Sequence, residues 1–302
     1  MAKITFMGAG STVFAKSVLG DCMLRDSLCR SHIALYDIDA TRLRESKRML
    51  DTLNRNINEG RARITTHLGV EKRKAALTGA DYVVNAIQVG GYDPCTITDF
   101  EVPKRYGLRQ TIADTLGIGG IFRGLRTLPV MLDFAREMEE VCPRAWLLNY
   151  TNPMAILAGG IQQGTGIRTV GLCHSVQGCT YSLLHSLDLL KQYPPAECVQ
   201  LVAGINHMGW LLKIEHKGRD LYPEIKRVAA EKLRRWRSGP EKHWNMVRLE
   251  MMLNLGYYTN FAGGAYAYPG GSVDPRDRHE DRADGTGDSD VRDIGWAGPS
   301  RT

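Results

Sequence analysis

No stretch of this sequence approaches the roughly 20 consecutive apolar residues needed to cross a bilayer, so a membrane-spanning helix is not expected to organise it. Cysteines in paired metal-binding spacing are also missing: the seven thiols, an odd number, are scattered from Cys22 to Cys198. A secreted disulfide framework is therefore not expected, and a reducing cytoplasm is the expected compartment. Met1 leads directly into a short apolar strand without the charged start and small-residue cleavage site of a signal peptide, which fits the same compartment. Excess charge of one sign is scarce as well. A formal net charge of +6 over 302 residues is modest. The densest basic stretch, Lys232 to Arg237, alternates with Leu233 and Trp236 as a solvated helix face does. Neither nucleic acid nor a membrane is an expected partner.

What the sequence does contain is alternation. Strand-like runs recur at Lys3 to Met7, His32 to Tyr36, Arg63 to His67, Tyr82 to Gln88, Ala145 to Leu148 and Arg168 to Leu172, with helical sequence between them. Between the second and third runs, Leu43, Leu50, Leu53 and Ile57 recur at helical spacing and should form one apolar stripe against a sheet. This order predicts an α/β fold, a Rossmann-like doubly wound parallel sheet with right-handed crossovers. From about Glu197 the pattern changes. Val199 to Ala203 and Leu211 to His216 read as strands, Tyr222 to Arg237 as a helix, and Glu241 to Leu255 as another after the Ser238-Gly239-Pro240 break. That predicts the start of a second, α+β substrate domain.

The expected units are residues 1–195, 196–258 and a tail over 259–302. From Thr259 onward there are eight glycines, seven aspartates and no leucine or lysine. Such a composition cannot bury a core. It reads either as disorder or as departure from the ancestral sequence by truncation or a change of reading frame.

Three places carry candidate chemistry. Gly8-Ala9-Gly10-Ser11-Thr12-Val13 lies between the first strand and a helix, where two glycines let the backbone turn tightly and approach a pyrophosphate. Val13 stands where the usual third glycine would be. Asp37 closes the second strand, where a carboxylate can accept the ribose hydroxyls of NAD and repel the extra phosphate of NADP. Further along, Gln88-Val89-Gly90-Gly91 and Asn149-Tyr150-Thr151-Asn152-Pro153 follow two later strands. Ligands of open parallel sheets sit beyond such strand ends, so Gln88, Asn149 and Asn152 are site candidates, although Asn and Pro also simply punctuate turns. Finally, Cys173-His174-Ser175 follows the last strand of the series, and Gly204-Ile205-Asn206-His207-Met208 forms a later loop. A thiolate and an imidazole can share a divalent metal. On spacing alone, a buried cysteine and a core histidine are the better reading.

In order and spacing these motifs resemble those of glycoside hydrolase family four, from about Met1 to Tyr258. The segment Asp114-Thr115-Leu116-Gly117-Ile118-Gly119-Gly120-Ile121-Phe122-Arg123 is similar to the melibiose-type α-galactosidase branch. The resemblance implies a redox glycosidase rather than a paired-carboxylate one. NAD⁺ takes hydride from C3 of the sugar, a manganese-like ion (or another divalent metal) polarises the ketone, and elimination from C2 expels the aglycone. Water then adds and the hydride returns. It also implies roles: Cys173 and His207 as metal ligands, Asn149, Asn152 and Asp114 on the substrate, and Gly8, Gly10, Ser11, Asp37 and Gln88 on the cofactor. His174 stands where phospho-sugar members carry an acid, which implies a proton donor and a sugar without phosphate. The C2 base in relatives is a tyrosine, implying Tyr257 or Tyr258. Relatives assemble as homo-oligomers. At Thr259-Asn260-Phe261 the likeness is expected to stop, and loss of a pocket wall would weaken turnover. The competing readings are a lactate- or malate-type NAD dehydrogenase and a non-catalytic nucleotide-binding remnant.

Overall fold

A computed structural model describes residues 1–108, 110, 115–239 and 243–260. The first part runs β1 (Lys3–Met7), α1 (Thr12–Met23), β2 (His32–Asp37), α2 (Ala40–Asn58), β3 (Arg63–Leu68), α3 (Arg73–Leu77), β4 (Tyr82–Asn85), α4 (Ile97–Arg105), α5 (Gly117–Val141), β5 (Trp146–Asn149), α6 (Met154–Gly164), β6 (Arg168–Gly171) and α7 (His174–Ser186). Its six strands pair in parallel in the order β3-β2-β1-β4-β5-β6. The order reverses between β1 and β4, which opens a crevice at the carboxyl ends of those two strands.

Alternation along β1 shows why the sheet is covered on both faces. Ile4 and Phe6 pack into a cluster with Leu19, Leu43 and Leu50 of α1 and α2. Met7 points the other way, into a cluster with Leu77, Met131, Phe134, Met138 and Ile161, as successive strand residues must. The buried stripe of α2 differs from the expected one. Leu43 and Leu50 are buried, but Ile57 is 39% exposed, and Ser46, Asn54 and Asn58 complete the inward face. Each of these has a backbone carbonyl to meet: Ser46 donates to Ala9 (2.5 Å), Asn54 to Ala62 (2.8 Å) and Asn58 to Cys29 (2.7 Å). A polar group so partnered can be buried at little cost, and apolar periodicity does not reveal it.

The second part contains β7 (Cys198–Ile205), β8 (Met208–His216), β9 (Arg219–Asp220), α8 (Tyr222–Ser238), α9 (Met246–Leu255) and β10 (Tyr258–Thr259). Its antiparallel strands lie in the order β10-β8-β7, with β9 on β8. The helix expected from Glu241 starts at Met246. Glu241 and Lys242 lie outside the described residues, while His243 stacks on Trp236 at 4.1 Å and Asn245 turns its amide inward.

α7 joins the two parts. It leaves the end of β6, yet Cys179, Leu183 and Leu184 pack with Leu211, Ile214, Ile225, Leu249 and Tyr258 in the second core. Thr259 and Asn260, which composition assigned to a tail, are buried. Thr259 pairs with Trp210 of β8, and Asn260 donates its backbone amide to Gly209. Residues 261–302 of the expected tail lie outside the described residues. Among the described residues no helix is long and apolar enough to cross a membrane.

Candidate active site

The glycine turn is shaped by its neighbours. The amides of Gly8 and Ala9 both donate to Tyr36 at the end of β2, at 3.0 Å. Gly8 has a φ of +85°, and a Cβ there would stand 2.7 Å from the Ala86 carbonyl. A Cβ on Gly10 would meet the Asp37 carboxylate at 2.8 Å and Arg42 at 2.9 Å. Asp37 accepts from the Gly10 amide (2.6 Å) through one oxygen and from Asp39 (2.9 Å) through the other. The acidic group therefore sits at the lip of the turn, between β2 and the start of α1. Ser11 is exposed at the head of α1, where its hydroxyl makes no capping bond.

The next two strand ends form one polar knot. Asn85 donates to Asn149 Oδ1 (2.8 Å) and Thr151 Oγ1 (3.0 Å), Asn149 Nδ2 donates to the Thr151 carbonyl (3.1 Å), and Thr151 Oγ1 donates to the Ile87 carbonyl (2.9 Å). Asn149 is fully enclosed. Its Oδ1 ties β5 to Asn85 of β4 while its Nδ2 turns back to the Thr151 carbonyl, so the amide expected on the substrate is engaged within the protein. Asn152, half-buried before α6, stays at the surface of the crevice, with its carbonyl held by Arg123 Nε at 3.2 Å. Gln88 is exposed, its amide 3.5 Å from Thr96 Oγ1. The loop that carries Gln88 is tied down by Arg126, which donates to the Val89 carbonyl (3.2 Å) and pairs with the buried Asp99 (2.6 Å). Asp114 lies outside the described residues.

Beyond β6, Cys173 caps the N-terminus of α7, its sulfur accepting from the Ser175 amide at 3.4 Å. The loop between β7 and β8 brings His207 Nε2 to 3.1 Å from that sulfur, and Ser175 Oγ stands 3.1 Å away on another side. Burial acts to raise the Cys173 thiol, but the hydrogen bonds from His207 and Ser175 outweigh it and bring the group down to about 6. At neutral pH it is a thiolate, the form in which cysteine binds metals. A thiolate and an imidazole are both ligands for a divalent ion, and at 3.1 Å they stand close enough to share one, so the pair fits a metal. Among the described residues no third Cys, His, Asp or Glu completes a cluster with them.

His174 is exposed on the first turn of α7, beside the pair in sequence and open to a ligand. The two tyrosines part company. Tyr258 is fully buried in the second core, donates to Asn245 Oδ1 at 2.9 Å, and is pushed upward by that burial. A phenol so placed is a poor base. Tyr257 is 44% exposed, with its ring edge-on to Tyr222.

Sequence reasoning missed Asn85, Thr151, Ser175, Arg126 and Asn260. Apart from the short links of Ser175 to Cys173 and of Thr151 to Asn149, their partners lie 27 to 85 positions away, and nothing in local pattern marks them. Ser175 and Thr151, inside the Cys173-His174-Ser175 and Asn149-to-Pro153 runs, were within reach.

A profile described as family 4 glycosyl hydrolase matches residues 3–189, and that of the same family's C-terminal domain matches residues 202–290. The second match runs past Tyr258, where the likeness was expected to stop. An alpha-galactosidase of Bacillus subtilis (strain 168) is 57% identical over 259 residues, covering 86% of this chain and 57% of that protein. The chain spans about half the length of the curated relatives it matches. Among solved structures, a Bacillus subtilis protein provisionally named a glucosidase superposes with a TM-score of 0.76 at 26% identity, covering 98% of this chain and 73% of that one. A 6-phospho-alpha-glucosidase from gut microorganisms, solved with NAD and Mn²⁺, shares the fold with a TM-score of 0.76 at 22% identity, covering 100% and 71%.

Proposed function

The chain belongs to family 4 of the glycosyl hydrolases, and on that premise we propose that it serves the hydrolysis of α-galactosides, with NAD on the Gly8–Ser11 turn and a divalent metal such as manganese between Cys173 and His207. The observation that carries this reading is the 3.1 Å approach of the Cys173 sulfur to His207 Nε2, made by residues 34 positions apart. The α-galactosidase relative supports the choice of sugar.

Bound in these places, NAD supplies reversible hydride transfer at the sugar ring and the metal supplies Lewis acidity toward the ring oxygens. Everything else falls to side chains of this protein. Gly8 and Gly10, whose Cβ atoms would collide with the Ala86 carbonyl and with Asp37 and Arg42, let the turn close tightly enough for the amides at the head of α1 to face a pyrophosphate. Asp37 offers its carboxylate to the ribose hydroxyls. Cys173 and His207 fix where the sugar hydroxyls sit, and Asn152 borders them. His174 donates a proton to the departing glycosidic oxygen. Tyr257, the more open of the two tyrosines, takes the proton from C2. The Asn85–Asn149–Thr151 knot holds the β4 and β5 ends in register, which matters because the reaction requires sugar and cofactor at fixed spacing. With all seven cysteines unpaired, the reducing cytoplasm is the compartment we assign.

Incubation of the protein with NAD⁺, Mn²⁺, a reductant and nitrophenyl α-galactoside should release nitrophenol, and withdrawal of either cofactor or the Cys173→Ser substitution should stop it. Release at an unchanged rate without NAD⁺, or by Cys173→Ser, would overturn the proposal. A lactate- or malate-type dehydrogenase would instead accumulate NADH on a hydroxy acid and be indifferent to Cys173.

A further inference from the structure

Asn260 stands where composition placed the beginning of a tail, yet it is only 5% exposed and each polar end of its side chain is engaged. Its Oδ1 accepts from the Gly209 amide at 2.7 Å, and its Nδ2 reaches Ser175 Oγ at 3.3 Å. A backbone N–H can only donate, so the oxygen of the amide must face Gly209 and the NH₂ must face Ser175. The orientation of the side chain is thereby settled by chemistry. Ser175 Oγ, already receiving a hydrogen from Asn260, has its own single proton left for the remaining neighbour, the Cys173 sulfur at 3.1 Å.

We propose that Asn260 is a positioning residue for the metal pair: it sets the polarity of a relay in which Asn260 donates to Ser175 and Ser175 donates to the Cys173 sulfur. The inference rests on the reading of Cys173 and His207 as metal ligands. It assigns Asn260 two tasks. Through Gly209 it holds the end of the loop that presents His207, since Gly209 lies two residues after that ring and also receives the Asn260 amide, N to O, at 2.9 Å. Through Ser175 it keeps a hydroxyl donor aimed at the thiolate, and partners of this kind orient a ligand and tune its basicity. The cysteine arrives on α7 from the first sheet and the histidine on a hairpin of the second. Asn260, paired beside β8, touches both sides.

Cobalt(II) is the probe, added to the full chain, because a bound thiolate gives a sulfur-to-cobalt charge-transfer band whose position reports hydrogen bonding to the sulfur. Asn260→Ala should weaken cobalt affinity about 10-fold or more and move the band to longer wavelength, as Ser175→Ala should. Asn260→Asp keeps size and the acceptor for Gly209, which protects folding, but it draws the Ser175 proton away from sulfur. It should move the band in the same direction, and have no such effect when Ser175 is already Ala. A band that stays in place in Asn260→Asp, or moves equally with Ser175 absent, overturns the relay. Absence of any thiolate band in the wild-type protein, with cobalt affinity unchanged by Cys173→Ser, overturns the metal reading itself and the role of Asn260 with it.

Discussion

Asn149 and Cys173 end adjacent strands of one sheet edge, and burial divides their duties. Asn149 has no exposed surface and anchors Asn85, whose amide would lose its 2.8 Å acceptor on truncation. Asn149→Ala should therefore cost about 1–3 kcal/mol of stability, read as a lower urea midpoint. A substrate contact would instead leave the midpoint alone and raise KM. Cys173 is half-open, and its thiolate is held by His207 and Ser175. With the folded group at about 6 against an ordinary 9.0, its contribution to stability is complete above the unfolded value and is lost as pH falls through about 6. In metal-free protein, peptide-resolved alkylation of Cys173 by iodoacetamide should rise with a midpoint near pH 6. A midpoint near 9 would remove the thiolate from the site.

Elements bring these residues together by how they end. β1 stops at Met7 so that Gly8 can take a left-handed turn against β4, and Ser46 of α2 bonds the Ala9 carbonyl from behind. Gly8→Ala puts a Cβ against the Ala86 carbonyl at a φ few side chains adopt. The strain, of order 1–3 kcal/mol, should appear as a lower melting temperature together with weaker NAD binding by calorimetry. Unchanged NAD affinity would detach the turn from the cofactor. α7 acts at the other end of the sheet. Its first turn supplies the Ser175 amide to the Cys173 sulfur, while its last turns are buried with residues of β8 and α9. One helix thus links Cys173, beyond the end of β6, to the second hydrophobic core.

Across the whole molecule, what could be read in advance was what repeats along the chain. The runs at Lys3, His32, Arg63 and Arg168 fall on strands of the parallel sheet, and for the first two apolar run and burial are the same fact seen twice. The run expected to reach Gln88 ends at Asn85, since the Asn85 side chain turns to Asn149 and the backbone beyond it leaves the ladder to form the crevice wall. The surroundings of Asn149, Tyr258 and Asn260 are hidden from the sequence for one reason. Whether a polar side chain faces ligand or core depends on a partner far along the chain, and composition around Thr259 said nothing of Gly209. The redox route is the central claim at this scale, and hydrolysis of an α-galactoside in D₂O with NAD⁺ and Mn²⁺, followed by NMR of the released sugar, tests it most directly: deuterium at C2 is the predicted result, and galactose that keeps its C2 proton would contradict it.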